Sequence, residues 1–162
     1  KNTSPLRKTL SSAASPQKNI SVSIEFPLGK KLITLGEVPD SVITVNVLTV
    51  EGFLPFEFIL DTGADCTVLP KYMAKLTGVN LSTCRQDHTY GLEERPLKVY
   101  IGKITIKISR YQFPIRCLFA ESDTTSLLLG RMDIFAHFNI TFDNKNERIK
   151  LTKIWPVAGE ST

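Results

Sequence analysis

Residues 58–70 read Phe-Ile-Leu-Asp-Thr-Gly-Ala-Asp-Cys-Thr-Val-Leu-Pro and place a carboxylate between two apolar runs. The first run ends at Asp61, a turn of small residues follows, and a second apolar run starts near Thr67. An apolar strand that leads into such a turn aims one acidic side chain out of a tight, hydrogen-bonded loop. This arrangement suits a carboxylate that activates water, so Asp61 is the candidate catalytic residue.

A second apolar segment, Leu-Leu-Leu-Gly-Arg, occupies residues 127–131. Together with Leu-Asp-Thr-Gly-Ala-Asp at 60–65, it makes the chain resemble the retropepsin-like aspartic proteases, single-lobe relatives of pepsin and of retroviral proteases. The resemblance spans residues 42–151. It implies an all-β fold: a closed β-barrel like a retropepsin or one pepsin lobe, with a flap hairpin and one or two short helices.

Asp-Thr-Gly by itself is also an ordinary turn tripeptide, because Asp bonds its own backbone and Gly accepts positive φ. The flanking apolar runs favour the catalytic interpretation. They would bury the loop instead of exposing it as a hairpin tip, and Leu-Leu-Leu-Gly supplies a second buried strand beside it.

The length of 162 residues predicts one folded domain, at 32–155. Residues 1–31 hold six of the 20 basic residues and one of the 16 acidic ones, in a Ser/Pro-rich context, and predict a flexible arm or pro-segment. Residues 156–162 form a tail. A nucleic-acid tether is a weaker interpretation of the arm, because it lacks interleaved aromatics or a motif, so a nucleic-acid partner is unlikely.

The three cysteines, Cys66, Cys84 and Cys117, cannot all pair within one chain, which favours a reducing compartment such as the cytoplasm. His88 and His137 stand apart, so neither a metal nor another cofactor is expected. No apolar run reaches the length of a membrane span, so we expect no membrane partner.

Local patterns predict the elements around the motif. Strands are expected at 31–35 and 42–50 with a turn at Pro39-Asp40, a short helix at 71–76 ended by Gly78, and strands within 100–120. Residues 127–130 should form a central strand. Residues 131–138 should form a core helix with Met132, Phe135 and Phe138 on one face. A final hairpin is expected from 139 to 151.

The resemblance places the flap at residues 82–100, with its tip near Gly91. Tyr90 and Gly91 would then contact the substrate. The sequence Gly-Leu-Glu-Glu-Arg-Pro at 91–96 is bulkier and more charged than a glycine-rich retroviral flap tip. An ordinary exposed hairpin is the alternative interpretation.

Peptide hydrolysis by this class needs two carboxylates that share one proton around a water molecule. The chain contains Asp-Thr-Gly once, so we predict a homodimer in which Asp61 of each subunit meets its copy on a two-fold axis.

The resemblance also assigns roles to the neighbours of Asp61. Thr62, Gly63 and Ala64 form the active-site loop, and the Thr62 hydroxyl would bridge the two loops. Asp65 and Cys66 would lie by the substrate, although a packed hydrophobe is the alternative role for Cys66. Leu129, Gly130 and Arg131 would support the loop, with an ion pair between Arg131 and Asp65.

The sequence therefore predicts an endopeptidase that acts on extended peptide segments. A catalytically inactive dimerisation or peptide-binding module with the same fold is the alternative. A further hypothesis is self-cleavage at Phe26-Pro27, because an aromatic residue before proline resembles a bond that retroviral proteases cut.

Overall fold

The computed structural model describes residues 21–90 and 96–155, and these are mostly β-strand. In chain order the strands are β1 (Ser23–Pro27), β2 (Gly29–Ile33), β3 (Gly36–Asp40), β4 (Val42–Thr49), β5 (Gly52–Leu60), β6 (Thr67–Pro70), β7 (Arg85–Tyr90), β8 (Pro96–Ile108), β9 (Tyr111–Ala120), β10 (Leu128–Leu129), β11 (Phe138–Asp143) and β12 (Arg148–Lys153). One α-helix, α1 (Tyr72–Thr77), follows β6, and a 3₁₀ turn spans Leu81–Thr83.

The main sheet has seven strands in the order β4-β5-β10-β6-β9-β8-β7. A further antiparallel pairing between β4 and β8, at Val47 and Ile106, closes the sheet on itself. The predicted all-β fold is therefore confirmed. The short strand β10 lies in the middle of this sheet, parallel to β5 and antiparallel to β6, as the apolar Leu-Leu-Leu-Gly run predicted.

A separate three-stranded sheet, in the order β1-β12-β11, packs onto the same core. Phe138, Ile149 and Leu151 point inward from β11 and β12 and are fully buried with Phe58, Phe119 and Ile134. Alternation of buried and exposed residues along these strands places one face of each on the core. The predicted final hairpin is confirmed as β11–β12.

Helix α1 ends as the sequence predicted. Gly78 adopts the left-handed conformation at φ 72°, and its amide donates to the Lys75 carbonyl. Glycine suits this position because it has no Cβ to clash in the left-handed region.

The predicted helix at 131–138 is wrong, because the segment forms successive turns. Asp133 sits at φ 67°, which interrupts helical geometry, and its carboxylate binds Arg116 of β9. Ile134 and Phe138 are buried here, whereas Phe135 is 39% exposed. Tertiary contacts thus prevent the helix that the 3.6-residue spacing of the apolar residues predicted.

The N-terminal region also differs from the sequence interpretation. Pro39 and Asp40 do not form a turn but lie in β3, and the chain turns at 34–35 between β2 and β3. Gly36, at φ 124°, admits the tight reversal. Strands β1 and β2 begin within the range assigned to the arm, and β1 pairs with β12. Residues 1–20 and the tail 156–162 lie outside the described residues.

Within the described ranges, none of the helices is both long and apolar enough to cross a membrane.

Candidate active site

Asp61 follows the last residue of β5, at the point where the core strand enters the turn. Its Oδ1 accepts hydrogen bonds from the amides of Gly63 at 2.8 Å and Ala64 at 3.2 Å. Its own amide donates to the Leu129 carbonyl of β10 at 3.1 Å. The turn therefore holds one carboxylate oxygen with two backbone donors, and the neighbouring strand fixes the backbone that carries it.

Residues 129–132 clamp the turn from behind. The amide of Arg131 donates to the Ala64 carbonyl at 2.9 Å, and the amide of Met132 donates to the Asp65 carbonyl at 2.8 Å. Gly130 lies so close that a Cβ on it would stand 2.3 Å from the Cys66 carbonyl oxygen. Only glycine fits there without movement of the backbone. Leu129, Gly130 and Arg131 thus contact the turn, and their support of an active site stays a prediction.

Two ion pairs flank this clamp. Arg131 pairs with Asp65, as the resemblance implied, in an exposed position. Arg116 donates from its guanidinium and from its backbone amide to the Asp133 carboxylate. The hydrogen bonds from Arg116 hold the pKa of the Asp133 carboxyl below its usual value. This second pair fixes Asp133 in its left-handed conformation, next to the residues that hold the turn.

The cysteines are free thiols. Cys66 is half-buried beside the turn, with its Sγ 3.9 Å from the Sδ of Met132. Burial, reinforced by Asp65, raises the pKa of its thiol. Cys117 is fully buried on β9, and burial raises its pKa to about 12. The predicted reducing compartment, the cytoplasm, stays a prediction.

Strands β7 and β8 pair over part of residues 82–100, where the resemblance implied a flap; the flap itself stays a prediction. Its strands pair from Arg85 with Ile101 to Tyr90 with Pro96, and the Tyr90 side chain is 69% exposed at the end of β7. Gly91 and the predicted tip lie outside the described residues. The role of Tyr90 and Gly91 in substrate binding stays a prediction.

Thr62 is exposed and borders a groove of about 360 Å³. The remaining lining residues come from the turns after β10 and from β11: Phe135, Phe138, Asn139, Ile140 and Phe142. Phe135 and Phe142 are each 39% exposed. Because β11 pairs only with β12 among the described strands, an apolar surface and a free strand edge lie beside the Asp61 turn.

The described residues contain no cluster of three or more His, Cys, Asp or Glu side chains that could hold a metal ion. Sequence reasoning missed Thr67, whose buried Oγ1 accepts from the Gly130 amide at 3.4 Å, and it missed the Arg116–Asp133 pair. A polar residue at the start of an apolar strand was the available signal for Thr67. The sequence contained no signal for the Arg116–Asp133 pair, because the two residues lie on separate elements.

The family described as Aspartyl protease matches residues 45–132, which is more than half of the chain. The chain therefore belongs to the aspartyl protease family. The crystal structure of a retropepsin-like aspartic protease from Rickettsia conorii superposes with a TM-score of 0.56 at 18% identity, over 82% of this chain and 93% of that one. This likeness supports the retropepsin-like fold.

The EIAV protease in complex with the inhibitor HBY-793 superposes with a TM-score of 0.45 at 23% identity, over 57% of this chain and 82% of that one. A search of curated proteins found no match.

Proposed function

We propose that this protein is an aspartic endopeptidase that acts as a homodimer, with Asp61 of each subunit forming one catalytic centre. The observation that carries the proposal is the Asp61 turn. It leads out of a core strand, offers two backbone amides to one carboxylate oxygen, and is clamped by Arg131 and Met132.

The chemistry follows from two carboxylates held close together. Like charges at that distance cannot both ionise, so the pair shares one proton. The charged member accepts a proton from a bound water as the water attacks the scissile carbonyl, and the neutral member donates a proton to the carbonyl oxygen. The amides of Gly63 and Ala64 stabilise the charge on Asp61 while it serves as the base.

A second copy of the chain supplies the second carboxylate. Asp-Thr-Gly occurs once, and Asp123-Thr124-Thr125 lacks the glycine, so one chain holds half of such a centre. Thr62, beside Asp61, is exposed, and this exposure supports a contact between the two turns across a two-fold axis.

The substrate is a protein or peptide segment in extended conformation. We assign its binding to the surface between the Asp61 turn and the β7–β8 hairpin, which acts as the flap, with Tyr90 and Gly91 near the tip. Asp65 and Cys66, at the end of the turn, contact the peptide on either side of the scissile bond. An extended peptide in such a cleft satisfies its backbone groups as an added strand would.

The test is turnover of a mixed peptide library, read by mass spectrometry between pH 3 and 7, for the wild type and for Asp61→Asn. We expect cleavage by the wild type and none by the variant, because an amide cannot accept the proton of the water. Specific activity of the wild type should fall on dilution, as the dimer dissociates.

Asp123→Asn is the matched control, because it removes an equivalent charge from the Asp-Thr-Thr segment and should leave turnover unchanged. A wild type that binds library peptides without cleaving them at any pH would contradict the proposal and favour the inactive peptide-binding module. Equal cleavage by the wild type and Asp61→Asn would contradict it as well.

A further inference from the structure

The β2–β3 hairpin projects from the body of the protein and exposes apolar side chains. All of β2 is exposed, and Leu32 and Leu35 at the turn are 84% and 93% exposed. The two strands form a sheet of their own. An isolated two-stranded hairpin is marginally stable in water, so a second surface is needed to order its tip.

Contacts at its base anchor the hairpin. Lys30 pairs with Glu147 of the β11–β12 turn at 2.9 Å, whereas the pair of Lys31 with Asp40 at 3.5 Å lies within the hairpin itself. The amide of Leu28, just before β2, donates to the Glu147 carbonyl at 2.9 Å. These contacts fix the direction in which the hairpin leaves the body, but none of them covers the two leucines.

The base of the hairpin adjoins the catalytic turn. Ser41, the residue after β3, accepts a hydrogen bond from the Leu60 amide at 2.9 Å, and Leu60 directly precedes Asp61. A hairpin with five-residue strands reaches about 17 Å. Its tip can therefore reach about 17 Å from the base of the hairpin, which adjoins the Asp61 turn.

The Thr62-bordered groove also adjoins this turn, because Thr62 directly follows Asp61. It is lined by Phe135 and Phe142, and none of its lining residues belongs to the hairpin. One chain thus carries a protruding apolar tip and an open groove, lined by both apolar and polar side chains, that do not meet. Across a two-fold axis each can cover the other, twice in the same dimer.

We propose that the β2–β3 hairpin is a dimerisation arm, whose Leu32 and Leu35 seat in the Thr62-bordered groove of the second copy. This inference rests on the homodimer of the proposed function and adds the surface that joins the copies. Burial of the leucines removes apolar surface from water on both copies at once. It also brings the Asp61 turn of each copy against the β2–β3 hairpin of the other copy. This contact restrains the two Asp61 turns relative to each other.

The first test measures the dimer dissociation constant of the full chain by sedimentation velocity. The variant Leu32→Ser/Leu35→Ser should raise it by about 100-fold or more, because four apolar side chains leave the interface. Phe142→Ser, on the groove side, should raise it too. Val50→Ser is the control: Val50 is 70% exposed in the β4–β5 turn and should leave the constant unchanged. Circular dichroism checks that each variant is folded.

The second test locates the contact. The photo-crosslinking residue p-benzoylphenylalanine replaces Leu35, and ¹⁵N-labelled chain is mixed with unlabelled chain. We expect mixed-isotope crosslinks to residues 135–142. Crosslinks within a single chain, or to another region of the partner, would overturn the proposal, as would an unchanged dissociation constant in the double-serine variant.

Assembly and turnover are separate measurements, so the two proposals can fail separately. A dimer that depends on the leucines but cleaves no peptide would refute the endopeptidase and keep the arm. A dimer that cleaves peptide, and whose dissociation constant does not change when the leucines are replaced, would refute the dimerisation arm alone. A wild type that stays monomeric at all concentrations while cleaving peptide would overturn both the arm and the shared centre.

Discussion

Replacement of Gly130 by alanine should damage both the stability and the activity of the protein. An added Cβ would stand 2.3 Å from the Cys66 carbonyl oxygen, 2.4 Å from its carbon and 3.0 Å from the Ala64 carbonyl oxygen. These atoms belong to the backbone of the residues that follow Asp61 in the turn. A rotamer change cannot relieve the clash, so the turn itself must move.

The cost follows from the contact alone, because Gly130 is not among the glycines at positive φ. Overpacking of a buried site typically costs about 1–3 kcal/mol, and a clash with backbone belongs at the upper end. For a domain of this size, a loss of about 3 kcal/mol lowers the melting temperature by roughly 10 °C. The displaced turn should also lower kcat in the molecules that remain folded, because the proposed mechanism depends on the geometry of Asp61.

Calorimetry and peptidase assays at a temperature where every variant is folded separate the two effects. Gly102→Ala is the comparison, because its Cβ would meet the buried Phe119 ring at 2.6 Å, away from the turn. It should lose stability but keep kcat. Gly29→Ala, whose Cβ would lie 3.6 Å from the Asp40 Cβ, is the neutral control.

A Gly130→Ala protein with the same melting temperature as the wild type would refute the close packing on which this reasoning depends. Equal kcat values for folded Gly130→Ala and Gly102→Ala would refute the link between the clamp and the catalytic turn.

Two further predictions concern titratable groups. The pKa of Asp133 is lowered by its hydrogen bonds with Arg116, so this carboxylate stabilises the fold above its unfolded pKa of about 3.9, and the contribution is lost as the pH falls through the lower folded pKa. Urea unfolding between pH 2.5 and 6 should show a shallower acid loss for Asp133→Asn than for the wild type, and parallel curves would contradict this. The buried Cys117, with a pKa of about 12, should resist iodoacetamide at pH 8 and react only after unfolding, as peptide mapping would show; labelling in the native protein at the rate of the unfolded chain would count against that burial.

Much of the fold and of the candidate site could be predicted from local pattern. The apolar run before Asp61 and the apolar Leu128-Leu129 pair predicted neighbouring core strands, and these are β5 and β10. The turn chemistry of Asp-Thr-Gly predicted a carboxylate held by its own backbone, and the Gly63 and Ala64 amides hold it. Both features depend on residues a few positions apart, which is the range over which periodicity and turn preference act.

The errors arose where distant residues decide the conformation. Met132, Phe135 and Phe138 have a helical period, but Arg116 of β9 binds Asp133 and holds it outside helical geometry. Pro39 and Asp40 have turn preference, yet pairing with β2 extends them as strand. The Phe26-Pro27 bond, proposed as a self-cleavage site, lies in β1 paired with β12, so cleavage there requires that strand to separate from the sheet.

The sequence by itself determined which carboxylate is the candidate catalytic group, which turn carries it and which apolar runs bury that turn, because these depend on neighbouring residues. Only the tertiary structure decided that Gly130 presses against Cys66, that Arg116 holds Asp133, and that Leu32 and Leu35 are left exposed at the end of the β2–β3 hairpin. Those relations join segments far apart in the chain. They follow from the order and closure of the strands, which no local pattern encodes.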